Sequence, residues 1–369
     1  MSYLSTLTLS HFRSHRVARL SPDKRPVAIY GANGSGKTNI LEAISLFSPG
    51  RGLRRASAED MMRRPDNLGW KIGGILSAGS TEYEIEITSN NGASRQVKVD
   101  GKPKAQTALG QLVRVLWLVP AMDRLWIEGA EGRRRFLDRM TLSFFPDHAD
   151  NPLKYEKAMR ERNRLLKDQV TDPHWYAALE GHMAEAGVAI MSARRDALDK
   201  IREAQLVAKT AFPTADLSIT ETEKDLGEDV DAYGAALQDN RGRDMATGRS
   251  LLGPHRSDML GVYQAKTMAA KDCSTGEQKA LLISIILANA RALAAESGEP
   301  PLLLLDEVAA HLDIDRRIAL YGEICQLNAQ AWMTGTEPGL FTELENKAQM
   351  VCVSESDGLS AVLQEYNST

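Results

Sequence analysis

The chain is expected to fold as an α/β protein, a mixed and mainly parallel sheet with an antiparallel β side lobe, interrupted by an inserted α-helical arm domain. Three observations carry that expectation. A glycine-rich loop, Gly31-Ala32-Asn33-Gly34-Ser35-Gly36-Lys37-Thr38, follows the apolar run Val27–Tyr30 and opens the helix-like run Ile40–Ile44. This is the strand–loop–helix order of a phosphate loop. From Pro152 to about Phe212 the apolar spacing becomes helical. Beyond Leu251 the runs Leu302–Leu305 and Ala331–Met333 read as buried parallel strands.

Taken in order, Tyr3–Arg13 alternates apolar and polar residues, as a half-buried strand does. The glycines of the loop allow several backbone N–H groups to face one anion, and the helix that follows adds its N-terminal partial charge. Residues 31–38 with Asn39 are therefore candidate nucleotide contacts, with Lys37 reaching the β- and γ-phosphates and Thr38 ligating Mg²⁺. Trp70 to about Val99 reads as an antiparallel meander with turns at Asn91-Gly92 and Asp100-Gly101. The helical region offers one segment with Tyr155, Met159, Leu165 and Leu166, and a second with Leu179, Met183, Ala186, Ile190, Ala193 and Ala197. That spacing predicts an antiparallel helical hairpin whose second helix, of about 35 residues, ends at Pro213. A polar stretch from Glu223 to Arg249 then leads back to the α/β part. The division expected is 1–140, 141–248 and 249–369.

Hydrophobic residues at 43%, charged residues at 25% and a net charge of −4 are those of a soluble globular protein, and argue against one that coats nucleic acid over its whole surface. No run of 18 apolar residues occurs and Met1–Thr6 lacks the layout of a signal peptide, so a cytoplasmic protein without a membrane partner is expected. Cys273, Cys325 and Cys352 are far apart and support neither a disulfide framework nor a zinc site.

Pro301–Glu307 is an apolar strand ending in two carboxylates. Downstream of a phosphate loop it reads as a Walker B strand, with Asp306 holding the Mg²⁺ shell and Glu307 polarising an attacking water. Lys37 and Glu307 are thus the candidate catalytic residues, Thr38 and Asp306 the candidate metal ligands. About thirty residues earlier, Cys273–Lys279 precedes a strongly helical run, and its Ser-x-Gly turn is a second phosphate cradle. One ATP already has its own loop, so Ser274, Gly276 and Gln278 would serve the ATP of a partner subunit. With Leu312-Asp313 as a D-loop, the set resembles the ATP-binding-cassette (ABC-type) head. The resemblance implies a head-to-tail homodimer that sandwiches two ATP molecules, with Asp313 at the joint.

Further stretches resemble the RecF family of bacterial recombination mediators along essentially the whole chain. They are Leu7–Arg13, Gly31–Ile44, Arg133–Asp138, Gly253–Asp258 and Ser274–Gln278. This resemblance implies an ATP-dependent DNA-binding protein of recombinational gap repair and replication. ATP would close a dimeric clamp on DNA, slow DNA-stimulated hydrolysis would open it, and RecO and RecR would act with it to load RecA. The chain departs from the family at Val119–Asp123, which has no acidic residue directly after Pro120 and no Q-loop glutamine. The switch segment Trp332–Glu337 has no histidine, and the hydroxyl of Thr334 or of Thr336 takes its place. An ABC-type ATPase serving another partner, as a transport subunit or a non-hydrolysing adaptor, is the alternative. The missing glutamine and histidine count against the first, and Glu307 against the second.

Arginines cluster at Arg51, Arg54 and Arg55, at Arg63 and Arg64, at Arg133, Arg134, Arg135 and Arg139, and at Arg160, Arg162 and Arg164. They are candidate phosphate contacts to DNA, set against the alternative of ordinary arginines balancing the carboxylates. The absence of interleaved aromatic and basic residues favours duplex, gapped DNA or a single-strand/duplex junction over stacked single strands.

Overall fold

The computed structural model describes residues 1–221 and 229–365. They form two compact units, one of Met1–Asp123, Ala204–Thr214 and Ser274–Thr369, the other of Arg124–Glu203 and Ala215–Cys273.

The first unit holds two sheets. In the antiparallel one, β1 (Ser2–Phe12), β2 (His15–Leu20), β4 (Trp70–Ala78), β5 (Thr81–Ser89), β6 (Gln96–Val99) and β7 (Lys102–Lys104) run in the order β2-β1-β4-β5-β6-β7. Alternation in β1 buries Leu7 and Leu9 and exposes Thr8. Asp100 and Gly101 both take positive φ, 50° and 74°, the left-handed pair that a two-residue hairpin requires. In the second sheet the order is β15 (Leu359–Glu365), β14 (Gln349–Ser356), β3 (Val27–Tyr30), β13 (Ala331–Gly335), β12 (Leu302–Leu305) and β8 (Val115–Leu118). Every pairing there is parallel except β14 with β15. The mixed sheet with an antiparallel side lobe is therefore present as the sequence implied. Leu9, Phe12 and Ile72 from one sheet join Ile29, Leu304 and Trp332 from the other in one core.

Helices α1 (Lys37–Ser45), α2 (Leu109–Leu112), α8 (Thr275–Ser297) and α9 (Ile314–Leu327) complete this unit. α8 starts with a reciprocal capping box between Ser274 and Glu277 and stops at Gly298 in the left-handed region, φ 72°. It is long and apolar enough to cross a membrane, and 67% of its most apolar window is buried inside the fold. That is the signature of a core helix packed on several faces.

The second unit contains α3 (Ala130–Phe144), α4 (Asp150–Lys167), α5 (Pro173–Leu206) up to Glu203, α6 (Val230–Asp239) and α7 (Arg241–Thr247), with a small sheet of order β11-β10-β9. Its strands are β9 (Ala215–Thr220), β10 (Asp258–Tyr263) and β11 (Met268–Ala269). α4 and α5 form the expected hairpin, Tyr155 and Ala158 packing with Met183, Ala186 and Ile190. The 34 residues of α5 span about 51 Å, and the helix stops at Leu206, short of Pro213. The stretch expected to lead back as a polar connection is helical over α6 and α7, and its residues 222–228 lie outside the described residues. Asp229 starts α6 by accepting the N–H groups of Asp231 and Ala232, a cap that makes an acidic helix start look like a loop. The division expected at 140 and 248 falls within this unit, α3 running across the first boundary.

Candidate nucleotide site

β3 delivers the loop and α1 receives it. Gly31 lies at φ 153°, and a Cβ there would sit 2.0 Å from the carbonyl oxygen of Val353, so only glycine lets β14 pass so close. Ala32, Asn33 and Gly34 are exposed, while Ser35 and Lys37 are buried. The Lys37 ammonium donates to the carbonyl oxygens of Gly31 (2.7 Å) and Ala32 (2.9 Å). Burial lowers its pKa against the opposing pull of Glu307 and Asp306.

β12 ends beside this loop. The hydroxyl of Thr38 donates to both carboxylate oxygens of Asp306, at 2.9 and 3.1 Å. Asp306 is buried, and its N–H donates to the carbonyl of Leu118 on β8. Thr334, at the end of β13, donates to Asp306 Oδ1 at 2.8 Å and accepts the backbone N–H of Glu307 at 2.9 Å. Glu307 itself has φ 53°, a left-handed conformation that is uncommon outside glycine and is often met where function constrains the backbone. Of the two threonines considered for the switch position, Thr334 is fully buried at this junction and Thr336 is exposed.

The residues present fit a nucleoside triphosphate with its Mg²⁺. Ser35 Oγ is buried without a hydrogen-bond partner among the described residues. The Lys37 ammonium is held over the loop, and Thr38 with Asp306 forms a hydroxyl–carboxylate pair of hard oxygen donors. Asn39 faces away from that pair, donating to Ser14 Oγ (2.7 Å) and accepting from Arg54 (2.7 Å).

The second group of candidates is built on helix starts. Ser274 is the N-cap of α8 and Asp313 the N-cap of α9, where it accepts the N–H of Arg316 at 2.8 Å. Ser274 and Gly276 are exposed, and nothing lies within 4 Å of a Cβ built on Gly276. Gln278 is buried, so its side chain is not on the exposed turn with them. In the segment without a Q-loop glutamine, Asp123 Oδ2 lies 3.5 Å from the ammonium of Lys279 on α8. Sequence reasoning missed Ser14 and His15, at the turn from β1 to β2, and Ser360 on β15, which close on Gly36 and belong to no motif.

Most of the arginine clusters have partners inside the fold. Arg162 is fully buried and donates to Glu180 (3.0 Å), Asp244 (2.7 Å), Ser250 (2.8 Å) and the carbonyl of Leu237 (3.1 Å). Arg133 is bidentate to Asp258, both bonds 2.8 Å, and Arg134 donates to the carbonyl of Ser257. Arg54 bonds Glu42, and the nearly buried Arg63 bonds the carbonyl of Arg64 and pairs with Asp66. Of the clustered arginines, Arg51, Arg54, Arg55, Arg64, Arg135, Arg160 and Arg164 remain exposed, Arg54, Arg135 and Arg164 with ion-pair partners. A guanidinium satisfied inside the fold is a structural part, and sequence alone cannot tell it from one that faces solvent.

The family model for the RecF/RecN/SMC N terminal domain matches residues 3–358. The DNA replication and repair protein RecF of Rhizobium rhizogenes is 43% identical over 363 residues, covering 95% of this chain and 97% of its own length. That of Brucella suis is 45% identical over 362 residues, 94% of each chain. A solved structure of the recombination mediator protein RecF-ATPrS in RecFOR pathway superposes with a TM-score of 0.81 at 22% identity, over 98% of both chains. The fold is that of an ABC-type ATPase head, and the chain belongs to the RecF family of RecF/SMC-type ATPases.

Proposed function

We propose that this chain is an ATP-dependent DNA-binding ATPase of recombinational gap repair and replication. The observation that carries the reading is the hydrogen-bonded line Thr38–Asp306–Thr334–Glu307, which ties the phosphate loop, the Walker B strand and the switch strand together. The backbone of residues 31–39 and Lys37 hold the phosphates of ATP, and Thr38 and Asp306 hold Mg²⁺, which supplies charge neutralisation when bound. Glu307 acts as the base toward water. The exposed start of α8 at Ser274 and Gly276, and Asp313 at the start of α9, serve the nucleotide of a second copy in a head-to-tail homodimer. Gln278, buried in the first turn of α8, backs that exposed start from inside the fold.

In this reading ATP-driven dimerisation closes on DNA, and slow, DNA-stimulated hydrolysis releases it. Relatives named for DNA replication and repair, and a solved relative placed in the RecFOR pathway, support DNA as the ligand and RecO and RecR as partners, and loading of RecA is the step they would serve. The test is binding of the purified chain to gapped and duplex DNA with ATP, with ADP and without nucleotide, beside sedimentation and the Lys37→Ala variant. DNA retention and dimerisation that both require ATP and vanish in the variant are the expected result. An ATP-dependent dimer that ignores DNA at low salt overturns the repair function.

A further inference from the structure

Three side chains outside every nucleotide motif close around the backbone of Gly36, the residue before Lys37. Gly36 is the N-cap of α1 and has φ 101°. A Cβ there would lie 2.4 Å from Ser360 Oγ, 2.7 Å from Ser14 Oγ and 3.1 Å from His15 Nε2. Ser14 and His15 sit where β1 turns into β2, and Ser360 lies on β15, 346 residues after Ser14.

His15 is fully buried, with Nε2 3.1 Å from the carbonyl oxygen of Gly36. Its Nδ1 is buried too and has no hydrogen-bond partner among the described residues. A carbonyl oxygen only accepts, so the ring carries its proton on Nε2 and donates it to Gly36. Burial lowers the pKa of the imidazole, in keeping with a neutral ring. Beside it, Ser14 Oγ accepts the Ser360 hydroxyl at 2.7 Å and the Asn39 side-chain amide at 2.7 Å. The N–H of Ser360 donates to the Ser14 carbonyl at 3.1 Å. The two ends of the chain thereby grip both Gly36 and the first turn of α1.

A trans peptide points its C=O and N–H in opposite directions. Fixing the Gly36 carbonyl toward His15 therefore aims the Lys37 N–H the other way, out of the helix start, where amide donors gather for an anion. The same carbonyl also accepts the Asn39 N–H at 3.1 Å, and the His15 bond added to it leaves less ordering of the amides, with its cost in entropy, to be done when the ligand binds.

We propose that His15, Ser14 and Ser360 are positioning residues that preorder the phosphate loop for nucleotide. The inference rests on the nucleotide reading of that loop. The clamp acts on backbone donors that any nucleoside di- or triphosphate would use, so its loss weakens ADP and ATP together.

The test is equilibrium binding of fluorescent ATP and ADP analogues to the full chain and to His15→Leu, His15→Gln and Ser360→Ala, with thermal melting of each without nucleotide. His15→Leu and Ser360→Ala are expected to weaken both nucleotides by about tenfold, the equivalent of one hydrogen bond. His15→Gln, which can present an amide donor near Nε2, recovers most of that loss. The ¹⁵N spectrum of the nucleotide-free protein should show the Nε2–H tautomer at His15. Wild-type affinity in both His15→Leu and Ser360→Ala overturns the clamp, as does an Nδ1–H tautomer. Should His15→Leu fail to fold, Ser360→Ala decides alone. A wild-type chain that binds neither nucleotide overturns the reading of the loop itself, a different result from normal binding in the variants.

Discussion

The hydroxyl of Thr334 lies 2.8 Å from Oδ1 of Asp306, and it joins the carboxylate that Thr38 also bonds to the backbone of Glu307. Its single proton goes to Asp306, and its oxygen accepts the N–H of Glu307. A neighbouring strand thus holds Glu307 in a backbone conformation it would seldom choose by itself.

Thr334→Val keeps the shape and removes the hydroxyl, leaving the Glu307 N–H without its partner. Stability should fall by about 1–3 kcal/mol, and ATP turnover should fall by a larger factor than ATP affinity. Thr334→Ser should restore both. Thr336→Val, at an exposed position, should stay within about 0.5 kcal/mol of the parent. Steady-state hydrolysis with denaturant melts measures all of this, and turnover lost in Thr336→Val instead would move the switch role there.

Glu307→Gln removes the carboxylate proposed as the base while keeping a side chain of the same size. Turnover should drop by roughly 10²–10⁴-fold, ATP should still bind, and sedimentation should find dimers that persist with ATP. Undiminished hydrolysis would remove Glu307 from its role.

Arg162 and Arg164 lie two residues apart on α4 and should behave as opposites. Truncating the fully buried Arg162 leaves Asp244 buried beside a missing cation, while Glu180 keeps Arg241, a loss of about 3–5 kcal/mol. Arg164 is 84% exposed, and Arg164→Ala should change stability by less than about 0.5 kcal/mol. Thermal melts of the two variants make the comparison.

Acidification should destabilise the second unit through His255. Its Nδ1 accepts the Tyr155 hydroxyl (2.9 Å) and its Nε2 donates to the Ser250 carbonyl (3.0 Å). Burial, helped by the charges of Arg256, Arg134 and Arg162, lowers its pKa from 6.5 to about 4 although the Ser250 bond opposes the shift. Between those values the unfolded chain binds a proton that the native imidazole refuses. The stabilisation is therefore complete above the unfolded value and is lost as pH falls from 6.5 toward 4, on the order of 3 kcal/mol in all. Urea melts from about pH 7 down to about pH 4.5 should show the slope, and His255→Gln should flatten it.

If DNA phosphates meet the exposed arginines, Arg51→Ala and Arg64→Ala should each weaken duplex binding and reduce the salt slope, d log K/d log[salt], by about 0.9. Binding titrations across salt concentrations test this. An unchanged slope in both variants would place the DNA contact elsewhere.

The fold was legible where local pattern and tertiary role coincide. Val27–Tyr30 and Leu302–Leu305 are apolar because both faces of their sheet are covered, and the phosphate loop follows from glycines placed where backbone must turn. Arg162 was illegible because its three polar partners, Glu180, Asp244 and Ser250, lie 18, 82 and 88 residues away, and charge without partners reads as surface. The choice between Thr334 and Thr336 was illegible for a related reason. Two hydroxyls two residues apart differ only in where β13 stops. α5 ended before Pro213 because a proline excludes helix continuation without requiring the helix to reach it.

Strand β3 has β14 on one side and β13 on the other, so the strand that carries the phosphate loop is flanked by neighbours near the far end of the chain. During synthesis at about 5–20 residues per second, the loop would leave the ribosome roughly 15–60 s before its flanking strands exist. A chain cut before Ala331 would keep the glycine-rich loop but lack both strands that flank β3.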